Sequence, residues 1–567
     1  MYILSTCNNR IRRAQNANPP IHLSIKTTDH PAARVKMERW RLSYLLFLLL
    51  HPPGTLVAAL FSNLNFSSPW TLRQYTFDTM IDNFNFRPPA CGSTTFPLRY
   101  FVCEQFLEHP SWRNSSPPCF FYAGNEADIT VFIRNSGFVF EAAREMHALV
   151  VFAEHRYYGR SFPFGGAAAA LTPQNISYLS VEQAMADFNL LNVHIRKEWA
   201  LSPSSAFVVF GGSYGGNLAL WLRLKHPNLW AGAIASSATP LKHLLRETNA
   251  FNRIVAEVYA NVSSDCPDLV RSGWKQLYTN ATTNLGRKQI AEEMNLCQPF
   301  PTYEGAQFLH GMISDALETM VQYGYPYESS FYNPVPAYPF RAACKRMLTY
   351  GTGLGALRAS LEIYYNHTGQ FGDCFDFEIV INGGAHAPWV SRQMRGLRAM
   401  VGVTKQVEAS DPTALAWDFQ TCTEVYQPMP TDGVSDMDIP YKPNATEYFH
   451  RCLQRWGVAP RPDWEEIAFG GADIGTGSNI FLSSGQLDPW RAAGIQSKPL
   501  GAPNSIIIRI IESGAHHLDL QQSNPKDPLS VINVRAEEKE AIHRWIVEWK
   551  ATHPDGMIDR EVIARSY

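Results

Sequence analysis

A chain of 567 residues with 45% hydrophobic and 18% charged residues is globular, can bury a large core in one enlarged domain or two, and is not a disordered polymer. Its formal net charge of −2 gives no basis for a nucleic-acid partner. The 14 Trp and 24 Tyr fit a large core with aromatic-lined pockets but name no ligand.

Met37-Glu38-Arg39-Trp40-Arg41 reads as a short n-region, Leu42 to Leu50 as an apolar h-region, and the small residues around Ala58-Ala59 as a cleavage zone. The expectation is a secretory signal peptide that starts at Met37 and is removed near residue 60. His51-Pro52-Pro53-Gly54 interrupts the apolar run short of the about 20 residues of a membrane anchor, so no stable span is expected after cleavage. Residues 1–36 read as an extension or a cytoplasmic tail, which makes 1–60 an N-terminal extension plus signal. Seven N-x-S/T sequons, at Asn65, Asn114, Asn175, Asn261, Asn280, Asn366 and Asn444, support the secretory route as glycosylation sites. So do ten Cys, which contain no C-x-x-C and no zinc-like spacing. Cys7 leaves with the leader, so an odd number of Cys remains and at least one thiol is expected free. The final compartment reads as lysosomal or vesicular, or secreted.

Residues 61–240 read as the first part of an α/β domain. Strand-like pieces such as Phe96 to Val102 form edge hairpins. Phe120 to Ala123, Ala148 to Ala153, Phe207 to Phe210 and Ala231 to Ala235 are buried strands alternating with helical stretches such as Val181 to Val193. From 241 to 412 helical patterns dominate, among them Asn252 to Tyr259, Gln307 to Tyr323 and Gly353 to Tyr365. Four Cys fall here (Cys266, Cys297, Cys344, Cys374), and the segment reads as a helical, disulfide-braced cap inserted over the sheet. Ile379 to Ser410 is its least readable part. Residues 413–567 return to the α/β rhythm, with strands at Asn479 to Leu482 and Ser505 to Ile511 and an amphipathic helix from Ser530 to Lys550.

The chemistry gathers around Gly211-Gly212-Ser213-Tyr214-Gly215-Gly216, set between a strand and a helix. That is the context of a G-x-S-x-G nucleophile elbow, in which the glycines allow a strained corner that exposes the hydroxyl. Serine needs a base, and the base a carboxylate to orient it. In the α/β-hydrolase order the acid follows a late strand and the histidine the next one. Asp488 follows Asn479 to Leu482, and His516-His517 follow Ser505 to Ile511. The residues alone leave the choice between His516 and His517 open. Gly383-Gly384-Ala385-His386 has a similar local look, but it precedes the acid and lacks a strong strand before it. The oxyanion donors are expected to be the backbone N–H of Tyr214 and one from the turn at Gly124-Asn125-Glu126. Glu126 could also hold a substrate amine or satisfy buried donors.

With these residues the chain resembles the serine peptidase family of lysosomal Pro-X carboxypeptidase and dipeptidyl peptidase II, from about Gln74 to Trp549. The resemblance rests on Tyr122 to Glu126, Glu154 to Gly159, Gly211 to Gly216, Cys422 to Val425, Trp456 to Val458 with Pro460-Arg461-Pro462, Leu487 to Trp490 and Gly514 to Asp519. It implies an α/β-hydrolase fold with a helical cap, acting on short peptides after proline or alanine without a metal or organic cofactor. It implies Ser213 as nucleophile, Asp488 as acid and His516 as base, with His517 and Trp490 lining the substrate cleft. It further implies the pairs Cys266–Cys344, Cys297–Cys374 and Cys422–Cys452, and a possible homodimer; Cys91, Cys103 and Cys119 receive no partner. Three departures stand out: Ser484 where the family has Asn, Arg491-Ala492-Ala493-Gly494 where it has a glycine run, and Gln521 where it has Arg. The loss of that Arg, and the segments Glu247 to Phe251 and Gly353 to Cys374, lean the reading toward the dipeptidyl peptidase branch. The alternatives are a Pro-X carboxypeptidase, an esterase or lipase with the same triad, and a catalytically inactive adhesion protein.

Overall fold

The computed structural model describes residues 69–86, 93–107, 116–369, 372–376 and 412–555. The expected signal peptide, Asn65, Asn114, Cys7, Cys91, His386 and the Ile379 to Ser410 stretch lie outside them.

Eight strands build one sheet in the order β1-β2-β4-β3-β5-β6-β7-β8. They are β1 (Arg73–Met80), β2 (Thr95–Cys103), β3 (Cys119–Ala123), β4 (Leu149–Ala153), β5 (Phe207–Gly212), β6 (Gly232–Ser236), β7 (Ile480–Gly485) and β8 (Ile506–Ile511). β2 pairs antiparallel with both its neighbours, and every other pairing is parallel. β3 to β7 are buried along their whole length, which is why they read as continuous apolar runs rather than alternating ones. One antiparallel strand in this order makes the fold an α/β-hydrolase.

The helix Tyr214–Lys225 is buried on nearly every side, and Val181–Glu198 starts at Ser180, whose hydroxyl accepts the Gln183 N–H at 3.3 Å. The long helix Leu529–Thr552 lays Trp545 against β6 so closely that a Cβ on Gly232 would sit 2.1 Å from its ring. Only glycine permits that approach.

Between β6 and β7 the chain builds a second core of its own. The helices Ala250–Ala260, Asp265–Ala281, Glu304–Gln322, Pro339–Tyr350 and Gly353–Tyr365 supply it. Two disulfides, Cys266–Cys344 and Cys297–Cys374, brace it, and Cys422–Cys452 ties the segment that re-enters the sheet domain. Both cores belong to one compact unit. Cys103 and Cys119 are free and buried.

The Glu154 to Gly159 motif serves the frame. Glu154 pairs with Arg99, while Arg156 holds Asp187 at 2.7 Å and donates to the carbonyls of Met80, Ile81 and Tyr178. It locks the strand β1 and the helix Val181–Glu198 to the rim of the sheet.

Candidate active site

Parallel strands deliver their following turns to one edge, the carboxyl ends of the strands. Ser213 stands between β5 and its helix with φ 59° and ψ −126°. Positive φ is strained for a residue with a side chain and persists only where the surroundings enforce it. Here the glycines do so. A Cβ on Gly211 would lie 1.9 Å from the Gly215 carbonyl oxygen, and one on Gly216 would lie 2.7 Å from that of Ser236. The Ser213 N–H donates to the Ser236 carbonyl at 3.0 Å, which fixes the corner to β6.

Asp488 follows β7 and is fully buried. Its Oδ1 accepts the Trp490 N–H at 3.0 Å, capping the short turn Pro489–Ala493, while Oδ2 lies 2.8 Å from Nδ1 of His516. One carboxylate is both a turn cap and a histidine partner. His516 follows β8, is also fully buried, and its Nε2 has no hydrogen-bond partner among the described residues. A proton on Nδ1 facing Asp488 leaves the Nε2 lone pair free to accept one. Of the two adjacent histidines it is His516 that meets the acid.

His517 takes a different place. Its N–H donates to Ser237 Oγ at 2.9 Å, and its ring lies against Gly212 and among Tyr323 and Phe331. Burial, reinforced by neighbouring His516, pushes its pKa well below the ordinary imidazole value, so it is neutral.

Ser213, Tyr214, Asn125, Glu126, Trp490 and His517 line one cavity of about 250 Å³. Tyr214 opens the helix, where the N-terminal N–H groups favour negative charge. Its phenol is locked by Gln420 at 3.1 Å and His155 at 3.2 Å. Asn125 is 2% exposed; its Nδ2 donates to Glu126 at 2.8 Å and its Oδ1 has no partner among the described residues. Trp490 packs edge-on against Phe251 at 4.8 Å.

The sequence reading missed what the helical layer contributes. The His516 N–H donates to the Gln322 carbonyl at 2.9 Å, and the Tyr325 hydroxyl donates to the His516 carbonyl at 2.9 Å. Gln521 reaches Tyr325 in turn at 3.4 Å. The backbone of His516 is therefore held by the end of the helix Glu304–Gln322 and the turn that follows it. Asp315, Glu318, Tyr323, Phe331 and Trp417 also line the cavity. The dense aromatic run from Tyr323 to Tyr332, straight after an amphipathic helix, is the signal that could have marked this wall.

Of the described sequons, Asn261 and Asn444 are exposed, whereas Asn175, Asn280 and Asn366 are half-buried. No described helix is long and apolar enough to cross a membrane.

A family model, serine carboxypeptidase S28, matches residues 79–538. The chain belongs to the serine carboxypeptidase S28 family. Among its curated relatives, lysosomal Pro-X carboxypeptidase of Bos taurus is 33% identical over 476 residues, spanning 83% of this chain and 87% of the relative. The Homo sapiens protein of that name is 32% identical over 489 residues, spanning 85% and 90%. Thymus-specific serine protease of Homo sapiens is 25% identical over 488 residues, spanning 83% and 86%. As an S28 member the chain is a serine exopeptidase.

Proposed function

We propose that this S28 peptidase removes short amino-terminal units from peptides after proline or alanine, with Ser213, His516 and Asp488 as its triad. Ser213 Oγ attacks the scissile carbonyl carbon while His516 Nε2 takes its proton. The tetrahedral oxyanion is received by the N–H groups of Tyr214 and Asn125. The C–N bond then breaks, His516 returns the proton to the leaving amine, and water hydrolyses the acyl-enzyme by the same exchange. Asp488 keeps the imidazole in its tautomer and stabilises the imidazolium. The described helices from Ala250–Ala260 to Gly353–Tyr365 are the lid under which the peptide lies, with Trp490 and His517 against the residue that is cleaved.

The observation that carries the amino-terminal polarity is the charge of the cavity wall. Glu126, Asp315 and Glu318 line it, and the one lysine or arginine among the described lining residues is Lys242. Its ammonium is already taken by Glu465 and the Thr239 carbonyl. Such a wall favours a substrate ammonium over a substrate carboxylate. The second reading, a Pro-X carboxypeptidase, is favoured by the relatives of that name. The disulfides support an oxidising compartment, and with the relatives' name they favour the lysosome or secretion.

Two reporters test this: an X-Pro amide with a free amine, and an N-blocked peptide ending in Pro-X. Turnover of the first alone is the expected result, and turnover of the second alone replaces it with the carboxypeptidase reading. If neither is cleaved faster than by a Ser213→Ala protein, the peptidase assignment of this site falls.

A further inference from the structure

We infer that Glu318 is the receptor for the substrate's terminal ammonium and sets the length of the unit removed; this rests on the amino-terminal reading above. Glu318 lies on the helix Glu304–Gln322, four residues before Gln322, whose carbonyl holds the His516 N–H. Residues four apart share a helix face, so Glu318 and Gln322 stand in one row along the cavity wall, about 6 Å apart. An extended chain spans about 3.3–3.6 Å per residue. From the bond opposite the base to the amine of a dipeptide unit is therefore about 7 Å, close to the about 6 Å between Gln322 and Glu318. Asp315, a further turn along the same row and about 10 Å from Gln322, sits at the distance of a third residue.

Three observations single out Glu318 from the other acids. Its carboxylate makes no hydrogen bond and no ion pair among the described residues, whereas Glu126 accepts from Asn125 and Asp315 from Tyr365. It is half-buried in the wall, between the active-site cavity and a small void lined by Ser314, Trp274 and Asp438. Burial, and then the charges of Asp315 and Asp438, hold its carboxyl well above the usual range. A carboxyl so placed has no internal cation; an ammonium beside it favours the ionised form, so binding releases the carboxyl proton to solvent and leaves the ion pair. Independently, Asn125 in the same cavity is 2% exposed with its Oδ1 unpartnered, a buried acceptor awaiting an N–H from what lies in the cleft.

The test compares H-Ala-Pro-coumarylamide with propionyl-Pro-coumarylamide, which has the same length and no amine. In the wild type the amine substrate is expected to have the higher kcat/KM. Glu318→Gln lowers the ratio of the two values by about 10- to 100-fold, the worth of one charge-assisted hydrogen bond, and Glu318→Asp lowers it less. An unchanged ratio in both variants overturns the role of Glu318 while leaving the dipeptidyl reading standing. A wild type indifferent to the amine, or active only on N-blocked Pro-X peptides, overturns the polarity and this inference with it. If Glu318→Gln does not fold, Glu318→Asp carries the same comparison.

Discussion

The sheet and the helical layer above it face the same cavity but contribute different things to it. Asn125, Ser213, Asp488 and His516 each sit in a turn just after a strand, so a continuous ladder of backbone hydrogen bonds sets their spacing. Asp315, Glu318, Gln322 and Tyr323 stand on one helix or at its end, in a core whose partners are far apart in sequence. That core is closed by disulfides bridging separations of 78 and 77 residues, while the sheet strands carry no cross-link among the described residues. The proposed triad thus places chemistry that tolerates little displacement on the ladder. The proposed recognition of the substrate falls on helices, whose faces can vary without disturbing that ladder.

The sharpest way to break this division is to strike the sheet edge alone. Ser213→Ala is expected to lower kcat by about 10⁵- to 10⁶-fold with little change in melting temperature. Asp488→Asn is expected to cost about 10⁴-fold, because the amide can still cap the turn at Trp490 but holds the wrong imidazole tautomer. Retention of more than about a tenth of the activity in either variant would show that the sheet edge is not where the chemistry resides.

The helical layer should respond in the opposite way. Replacing Cys266 and Cys344 together by Ser releases a long loop and is expected to cost about 4 kcal/mol of stability by calorimetry. KM should rise more than kcat falls, since the wall loosens before the ladder does. Tyr325→Phe probes the seam between the two regions. Removing the hydroxyl that donates to the His516 carbonyl should lower kcat about tenfold with KM nearly unchanged. A pure KM effect would mean that Tyr325 belongs to the substrate wall rather than to the support of the base.

This division also explains what could be read from the sequence. Gly211 to Gly216, Asp488 and His516 are local patterns in a fixed chain order, and buried parallel strands announce themselves as apolar runs. The choice of His516 over His517 needed either the family resemblance or the structure, because adjacent loop residues carry no periodicity. The Gln322 and Tyr325 contacts to His516 were illegible. They join residues nearly 200 positions apart, and helical periodicity tells that a face is buried, not what it is buried against. Glu318 falls in the same class: on the sequence it is one more polar residue of an amphipathic helix.

The smallest effect, and one that again separates the regions, is the dependence of stability on pH. Beneath the sheet Glu424 is wholly buried and accepts from the Val181 N–H at 2.9 and 3.1 Å. Burial first, then the charge of Glu182, pushes its pKa up to about 8. Glu465 and Glu538 are raised in the same direction, also chiefly by burial. An acid raised in the folded state keeps its proton while the unfolded chain has lost it, so stability falls as pH climbs from about 4.5 to about 8. Buried His155, lowered to about 3, and His517 act in the reverse sense. They stay neutral in the fold while the unfolded chain binds protons, so stability falls as pH drops below about 6.5. The two sets oppose each other between about pH 4.5 and 6.5 and act alone on either side. Melting temperature should therefore form a plateau over that interval and decline toward pH 8 and toward pH 3.5. Glu424→Gln, which keeps an acceptor for Val181, should flatten the alkaline decline and leave the acid one unchanged. An alkaline decline as steep in Glu424→Gln as in the wild type would assign it to the other raised acids, Glu465 and Glu538, and then to Glu318 in the helical layer.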